Sequence, residues 1–200
     1  IMTLRDNLSL VRNLNNIENQ IKKIEKKTKR SLTDGEIKLL LEIFLEKISK
    51  NSDFKTDIID VSKFPLYNAD IEAKGLPESV LSAKEKVANS DLIVFASPSY
   101  NSSISGVMKN IVDWISRPPK VIENKYTLVI GATPGLSGTL LGYTHLNHIL
   151  LSLGMNVLNQ PRLLVATIDK QLEPNGKIIS EELSKLFDNS VNQLIKKLNN

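Results

Sequence analysis

Leu92-Ile93-Val94-Phe95-Ala96, followed at once by Ser97-Pro98-Ser99-Tyr100-Asn101, is the clearest indication of the fold in this chain. A continuous apolar run that ends in polar residues and a proline is typical of a strand that helices cover on both faces. Strands of this kind belong to the parallel sheets of α/β proteins. We therefore expect this strand at the centre of a parallel sheet.

Outward from this run, the chain alternates between helical and strand-like patterns from about residue 34 onward. Apolar residues spaced three and four apart predict helices, and short runs rich in β-branched residues predict strands. Their alternation predicts βαβ units in one domain. The predicted helices span 36–50, 77–89, 107–115, 139–154 and a stretch capped by Ser180, and the predicted strands span 56–61, 92–96, 126–130, 157–158 and 163–168.

Three of these helices carry apolar residues at helical spacing, which predicts a face turned toward the core. Ser180 is a residue type that caps helix starts, and the two glutamates after it suit the positive end of a helix dipole. The residues on these faces are Ile37, Leu40, Leu41, Phe44, Leu45 and Ile48, then Val80, Leu81, Lys84 and Val87, and finally Leu183, Leu186, Phe187, Val191, Leu194 and Ile195.

Two predicted loops have the position of a binding site, because ligands of open parallel sheets bind beyond the carboxyl ends of the strands. They are residues 97–105 and 132–138. The first loop combines small hydroxyl residues with the rigid Pro98 and the aromatic Tyr100, so it could bind a planar ring. Free N–H groups at the start of the next helix could bind an anion. Local chemistry alone favours the alternative of an ordinary turn with serine caps.

The residues after this loop extend it into a longer pattern without a gap. It runs Pro98-x-Tyr100-Asn101-x-Ser103-Ile104-x-Gly106-x-Met108-Lys109-Asn110-x-x-Asp113-Trp114. This pattern resembles the signature of the NADPH-dependent FMN reductase family, which includes quinone, azo-dye and chromate reductases. Residues 64–70 and 153–161 are similar to flanking stretches of the same family, so the resemblance covers about residues 57–165.

This resemblance implies a flavodoxin-like, three-layer α/β fold with a parallel sheet. It also implies noncovalent FMN and the transfer of two electrons from NAD(P)H to a small acceptor, which could be a quinone, an azo compound, a metal oxyanion or a flavin. A homodimer or homotetramer is expected from the same resemblance. The implied flavin contacts are Pro98, Ser99, Tyr100 and Asn101, mainly through backbone groups, and Thr133, Pro134, Gly135 and Gly138 as a second wall.

The helix after the first loop carries two pairs of residues at four-residue spacing. Lys109 can pair with Asp113, and Asn110 and Trp114 can pack along one side, so we expect structural roles for all four. His145 and His148 lie on one predicted helix face, but neither a cysteine nor a carboxylate cluster accompanies them. We expect them to be surface residues and no metal to bind.

The N-terminal segment departs from the family pattern. Members of the family begin with a hydrophobic strand and a Gly-Ser-x-Arg-x-x-Ser-x-Asn loop for the FMN phosphate, and only Thr28, Arg30 and Thr33 could be aligned with that loop. The segment instead has helical apolar spacing. We expect residues 1–33 to be a basic, helical replacement and residues 34–200 to be the reductase domain, with a doubtful first, central strand and weakened FMN affinity.

Composition restricts the partners and the compartment. The net charge of +4 comes from residues 1–35, which hold eight Lys or Arg against four Asp or Glu. Such a basic run is usually a solvated helix face, so we expect no nucleic-acid partner. The chain has no cysteine and no apolar stretch near the roughly 20 residues of a membrane span. We expect a cytoplasmic protein without a membrane partner.

Three functional hypotheses follow from these patterns. The leading hypothesis is an FMN-dependent NAD(P)H oxidoreductase. The second is a flavin-deficient, non-enzymatic relative whose α/β body serves as an interaction module. The third is an N-terminally altered gene product that folds poorly because the central strand is missing.

Overall fold

The computed structural model describes residues 33–51, 53–173 and 177–199, which form a parallel sheet with helices on both faces. This arrangement confirms the predicted α/β fold. The helices are α1 (Thr33–Asn51), α2 (Ala69–Glu72), α3 (Glu78–Ala88), α4 (Gly106–Ile115), α5 (Leu140–Ser152) and α6 (Glu181–Leu198). The strands are β1 (Leu92–Ala96), β2 (Ser99–Tyr100), β3 (Ser103–Ile104), β4 (Tyr126–Ala132), β5 (Asn156–Val157) and β6 (Leu163–Val165), and short 3-10 helices span Val61–Lys63 and Ile168–Lys170.

Strand β4 is the centre of the main sheet. It pairs in parallel with β1 along one edge, from Leu92 opposite Tyr126 to Ala96 opposite Ile130. Along the other edge, β5 pairs with its beginning and β6 with its end. Every residue of β4 after Tyr126 is buried, as expected for a strand with partners on both edges and helices on both faces.

Among the described residues, strand β1 lies at an edge of the sheet and not at the centre that its apolar sequence predicts. Within the described ranges its only strand partner is β4, and four of its five residues are partly exposed. The run of apolar residues correctly predicted a strand covered on two faces. It could not report how many neighbours the strand has along its edges, because edge pairing uses backbone groups that every residue carries.

The predicted strand at 56–61 is wrong. In the described structure this segment joins no sheet, and it ends in the 3-10 helix Val61–Lys63. Side chains hold it instead: Lys86 of α3 pairs with Asp57 at 2.8 Å, and the Asp60 carboxylate accepts a hydrogen bond from the Ser62 N–H. The segment therefore has the composition of a strand but no strand partner in the described structure.

One face of the sheet packs against α1 and α6. The first helix buries Ile37, Leu40, Phe44 and Ile48, as its spacing predicts. Ser180 caps α6 by accepting a hydrogen bond from the Leu183 N–H, which confirms the predicted cap. The two helices meet through the rings of Phe44 and Phe187, whose centroids are 6.4 Å apart.

The other face of the sheet packs against α3, α4 and α5. Leu146 and Leu150 of α5 are fully buried there, and Trp114 of α4 is fully buried against the ring of Tyr67. Two predicted core positions are wrong, because Leu81 of α3 is 51% exposed and Leu186 of α6 is 36% exposed. Each lies at the margin of its helix's apolar stripe, where spacing alone cannot show how far the neighbouring element extends.

The predictions for the N-terminal segment fall largely outside the described residues. The helix expected before residue 33, and Thr28 and Arg30 as candidate phosphate contacts, lie in that part of the chain. Thr33 is the first residue of α1. None of the helices in the described ranges combines the length and apolar content that a membrane crossing needs.

The packing of α6 yields a stability prediction. Replacing the fully buried Phe187 with alanine should lower the free energy of unfolding by about 3–5 kcal/mol, because it leaves a cavity against Phe44. The adjacent, partly exposed Leu186 is the control, and Leu186→Ala should cost about 1 kcal/mol or less. Urea unfolding monitored by circular dichroism measures both, and equal losses would contradict this packing.

Candidate functional site

The two loops that the sequence singles out leave the sheet side by side. Strands β1 and β4 run in parallel and end at the same edge, where Ala96 lies opposite Ile130. One further backbone hydrogen bond, from the Ser97 N–H to the Ile130 carbonyl at 3.1 Å, continues the pairing. The segments that begin at Pro98 and Thr133 therefore start from neighbouring points.

The first loop contains a small hairpin that the sequence does not predict. Strands β2 and β3 pair in antiparallel register, with Ser99 opposite Ile104 and Tyr100 opposite Ser103. Between them, Asn101 and Ser102 have φ values of 49° and 61°. Positive φ at both central residues is the geometry of a type I′ turn, which suits a two-residue hairpin. Since Asn101-Ser102 is not the usual Asn-Gly pair, the turn signal in the sequence was weak.

Helix α5 supports this hairpin at close range. A Cβ atom placed on Gly142 would lie 3.0 Å from the Ser103 carbonyl oxygen and 3.2 Å from the Ser99 side chain. One turn later, the His145 ring reaches Ser103, with 3.0 Å between Nδ1 and Oγ. Gly142 thus allows the helix to approach the backbone of the hairpin, and His145 adds a side-chain hydrogen bond.

The second loop is fixed at its beginning by backbone hydrogen bonds. Thr133 donates its N–H to the Val165 carbonyl at 2.9 Å and accepts at its own carbonyl from the Ile168 N–H. The Gly135 carbonyl accepts from the Thr167 N–H at 3.2 Å. Beyond these ties the loop turns outward, and Leu136 is 89% exposed. The loop is therefore anchored at one end and open to solvent at its tip.

The end of the second loop requires a glycine. Gly138 has a φ of 57°, in the left-handed region that glycine adopts at no steric cost. After it, the buried Thr139 donates its hydroxyl to the Gly138 carbonyl at 2.5 Å. Within the described residues, the N–H groups of 136–138 donate to no hydrogen bond. Leu136 and Ser137 are exposed, so their N–H groups are open to acceptor atoms of a bound molecule, whereas Gly138 is buried.

The eight predicted contact residues contain no acidic or basic side chain. They are Pro98, Ser99, Tyr100, Asn101, Thr133, Pro134, Gly135 and Gly138, and the structure brings all of them to the same edge of the sheet. Such a surface can stack against a planar ring and donate or accept hydrogen bonds. It offers no strong general acid or base. Its donor set fits a cofactor ring that carries out the chemistry itself.

A third segment, residues 64–70, is hydrogen-bonded to α4. The sequence marked this segment only as similar to a flanking stretch of the family. Asn110 Nδ2 and Trp114 Nε1 both donate to the Pro65 carbonyl, at 2.9 and 2.8 Å. Asn110 Oδ1 accepts from the Tyr67 N–H at 2.7 Å. The four-residue spacing of Asn110 and Trp114 thus serves one shared acceptor. Leu66, between the clamped positions, is 82% exposed.

Charged residues around this clamp also have structural roles. Lys109 pairs with Asp113 at 2.5 Å, as the sequence predicts. The Tyr67 hydroxyl donates to Glu72, and this hydrogen bond raises the pKa of Tyr67 above its usual value. Lys84 was predicted only as a position on a helix stripe. Its buried ammonium donates to the carbonyls of Ile115 and Arg117, and burial lowers the pKa of Lys84.

Comparisons with known proteins agree with this geometry. The model of the family described as NADPH-dependent FMN reductase matches residues 31–170. The chain is 32% identical over 139 residues to an NAD(P)H-dependent FMN reductase of Pseudomonas aeruginosa, covering 69% of this chain and 75% of the relative. It is 34% identical over 136 residues to a 2-hydroxy-1,4-benzoquinone reductase of Burkholderia, covering 67% and 74%.

A solved structure with a similar fold is FerB, a flavoenzyme NAD(P)H:(acceptor) oxidoreductase from Paracoccus denitrificans. Its TM-score is 0.66 at 28% sequence identity, and the match covers 78% of this chain and 88% of that chain. The similarity in backbone extends over most of both proteins and agrees with the predicted flavodoxin-like fold.

The contact between α5 and the hairpin predicts that replacing a helical glycine with alanine lowers the free energy of unfolding, although this change usually raises it. Alanine normally stabilises a helix relative to glycine by about 1 kcal/mol, but Gly142→Ala should destabilise the protein by about 1–3 kcal/mol through overpacking. Gly106→Ala is the matched control, because its Cβ would meet nothing within 4 Å. That control should gain about 0.5 kcal/mol. Urea unfolding compares them, and a stabilising Gly142→Ala would disprove the contact.

Proposed function

The chain belongs to the NADPH-dependent FMN reductase family, and we propose that the two loops at the end of β1 and β4 hold the flavin ring of its FMN. As a member of this family it is an FMN-dependent oxidoreductase that uses NAD(P)H as electron donor. We propose a cytoplasmic location for it, since NAD(P)H is an intracellular reductant. The ring contacts proposed are those of Pro98, Ser99, Tyr100, Asn101, Thr133, Pro134, Gly135 and Gly138.

One observation carries the assignment of these residues. Two uncharged loops leave adjacent parallel strands at the same edge, and one of them presents exposed N–H groups at 136 and 137 that have no acceptor within the described chain. A flavin ring is flat, apolar on its faces and rich in acceptor atoms on its rim. The hairpin that carries Tyr100 and the exposed loop around Gly135 would bind such a ring from two sides.

The chemistry belongs to the cofactor rather than to side chains. FMN, when bound, accepts a hydride from NAD(P)H and returns two electrons with protons to an oxidised acceptor. The chain's own residues bind and orient the ring, through Pro98 and the hairpin on one side and the Thr133 to Gly138 loop on the other. No proton transfer by the eight loop residues is needed for this role.

We propose a quinone as the acceptor. The Burkholderia relative is named a 2-hydroxy-1,4-benzoquinone reductase, and a potato relative that is 31% identical over 157 residues is named an NAD(P)H:quinone oxidoreductase. A flat quinone ring could stack against the same exposed face of the site that receives the nicotinamide. Azo compounds, metal oxyanions and free flavin are alternative acceptors, and they are supported only by the resemblance of residues 98–114 to the family signature.

We further propose that residues 1–33 form a segment distinct from the reductase domain at 34–200. In support, the family match begins at residue 31, and the family's phosphate-loop pattern has no good counterpart before it. Under this proposal the ring half of the site supplies most of the binding energy. The phosphate of FMN then adds little to the affinity.

We also propose that the protein acts as a homo-oligomer. Helices α4 and α5 expose the apolar side chains of Val107, Leu141 and Leu151. A second copy could cover these side chains. Light scattering should then give at least twice the mass of one chain, and Leu141→Asp with Leu151→Asp should reduce it to a monomer. A monomeric parent protein would refute this.

The proposed function predicts a yellow protein that NADPH bleaches under anaerobic conditions and that a quinone reoxidises. Gly135→Val should weaken FMN binding more than about tenfold, because its side chain would occupy the space of the ring. This residue has an ordinary φ and no tight neighbour, so the variant should fold. Ser99→Ala is the control and should change the FMN dissociation constant by less than about twofold, because backbone groups make that contact.

A colourless, well-folded protein that does not bind added FMN would instead support the hypothesis of a non-enzymatic interaction module.

Titration with FMN and with riboflavin tests the phosphate proposal separately. Dissociation constants within about threefold of each other would support a site without a phosphate pocket. Micromolar or tighter FMN binding that depends strongly on the phosphate would refute the proposal and assign phosphate contacts to this chain.

A further inference from the structure

Helix α5 reaches the hairpin with two residues one helical turn apart. Gly142 lies against the Ser103 carbonyl and the Ser99 side chain, and the His145 ring lies 3.0 Å from Ser103 Oγ. Residues three apart on a helix share a face, so both contacts act on the same side of the hairpin. Ser103 is therefore held through its backbone by packing and through its side chain by a hydrogen bond.

Ser103 is directly linked to the turn that carries the proposed flavin contacts. In the hairpin register it lies opposite Tyr100, and only Asn101 and Ser102 separate the two residues. A two-residue turn transmits displacement of one strand to the other, because the cross-strand hydrogen bonds fix their register. A restraint on Ser103 is consequently a restraint on the backbone of Tyr100 and Asn101.

The two histidines of α5 differ in their surroundings. His145 and His148 are both exposed, and they are one turn apart. His145 contacts Ser103, whereas His148 makes none of the described side-chain hydrogen bonds. The spacing in the sequence could not distinguish the two histidines. Because they are chemically identical and one helical turn apart, a substitution of His148 is a matched control for a substitution of His145.

We propose that His145 is a positioning residue for the flavin site, acting through Ser103 on the hairpin. This inference rests on the proposed function, because it takes the hairpin as one wall of the ring site. The Ser103 hydroxyl can donate to an unprotonated Nδ1 or accept from a protonated one, so the contact does not depend on the tautomer. Under this proposal His145 acts on the site through Ser103 and not by touching the cofactor or the substrate.

The test compares six forms of the full-length protein: the parent, Ser103→Ala, His145→Ala, the double variant that combines these two changes, His145→Asn and the control His148→Ala. Asparagine places a hydrogen-bonding atom near the position of Nδ1 and should restore the contact. Four measurements are made on each form. They are the FMN dissociation constant, the visible spectrum of bound FMN, the NADPH oxidation rate at saturating FMN, and amide hydrogen exchange at residues 99–104.

Ser103→Ala and His145→Ala should each weaken FMN binding by roughly three- to tenfold and shift the flavin spectrum, as expected for losing one hydrogen bond. The double variant should be no weaker than either single variant, because both changes remove the same interaction. His145→Asn should return most of the affinity, and His148→Ala should match the parent. The NADPH oxidation rate at saturating FMN should change less than the FMN affinity.

Two results would overturn the proposal. One is unchanged FMN affinity and spectrum in His145→Ala, and the other is an equal effect of His148→Ala. Hydrogen exchange separates this failure from failure of the proposed function. If the parent binds no FMN, faster exchange at 99–104 in Ser103→Ala and His145→Ala, with no change in His148→Ala, still demonstrates the restraint. Unchanged exchange in all variants refutes it.

Discussion

The backbone pairing of β4 on both of its edges sets the positions of the two cores and of the two loops at the site. Its hydrogen bonds to β1 on one edge and to β5 and β6 on the other fix the only strand of the described sheet that is buried along nearly its whole length. Side chains of β4 then alternate between the two cores, with Leu128 and Ile130 toward α1 and α6 and Val129 toward α4 and α5. Because β1 and β4 end together, their loops must begin together.

The glycine near the end of β4 shows how closely this constraint reaches the site. A Cβ atom on Gly131 would lie 2.3 Å from Thr139 Oγ1 and 3.1 Å from the Ser97 carbonyl oxygen. The second loop therefore folds back over the strand from which it came, and it does so against the start of the first loop. Helix α5, which begins after Thr139, is brought by the same turn to the hairpin. The position of the hairpin is thus set by three successive elements: strand β4, then Gly131, then helix α5.

The sequence predicted what local patterns encode and missed what depends on distant neighbours. Helical spacing located α1 and α6, and the Ser180 cap was correct to the residue. The strand at 56–61 failed because a β-rich segment becomes a strand only when a partner edge is present. The hairpin at 99–104 was missed because Asn101-Ser102 adopts positive φ values but is not a pair that predicts a hairpin turn, as Asn-Gly is. The clamp of Asn110 and Trp114 on Pro65 joins residues more than 40 positions apart, which spacing cannot show.

The two halves of a flavin site leave different traces in a sequence, and this difference explains what could be predicted here. Under the proposed function, backbone groups of small residues in particular turns contact the ring, and these residues lie in two short stretches at the ends of neighbouring strands. A phosphate site uses the free backbone N–H groups of a helix start, which need not belong to either of these stretches. The two halves can therefore change independently. Under the proposed function, a chain that keeps both strand-end loops keeps the part of the site that binds the flavin ring, and with it most of the affinity for the cofactor.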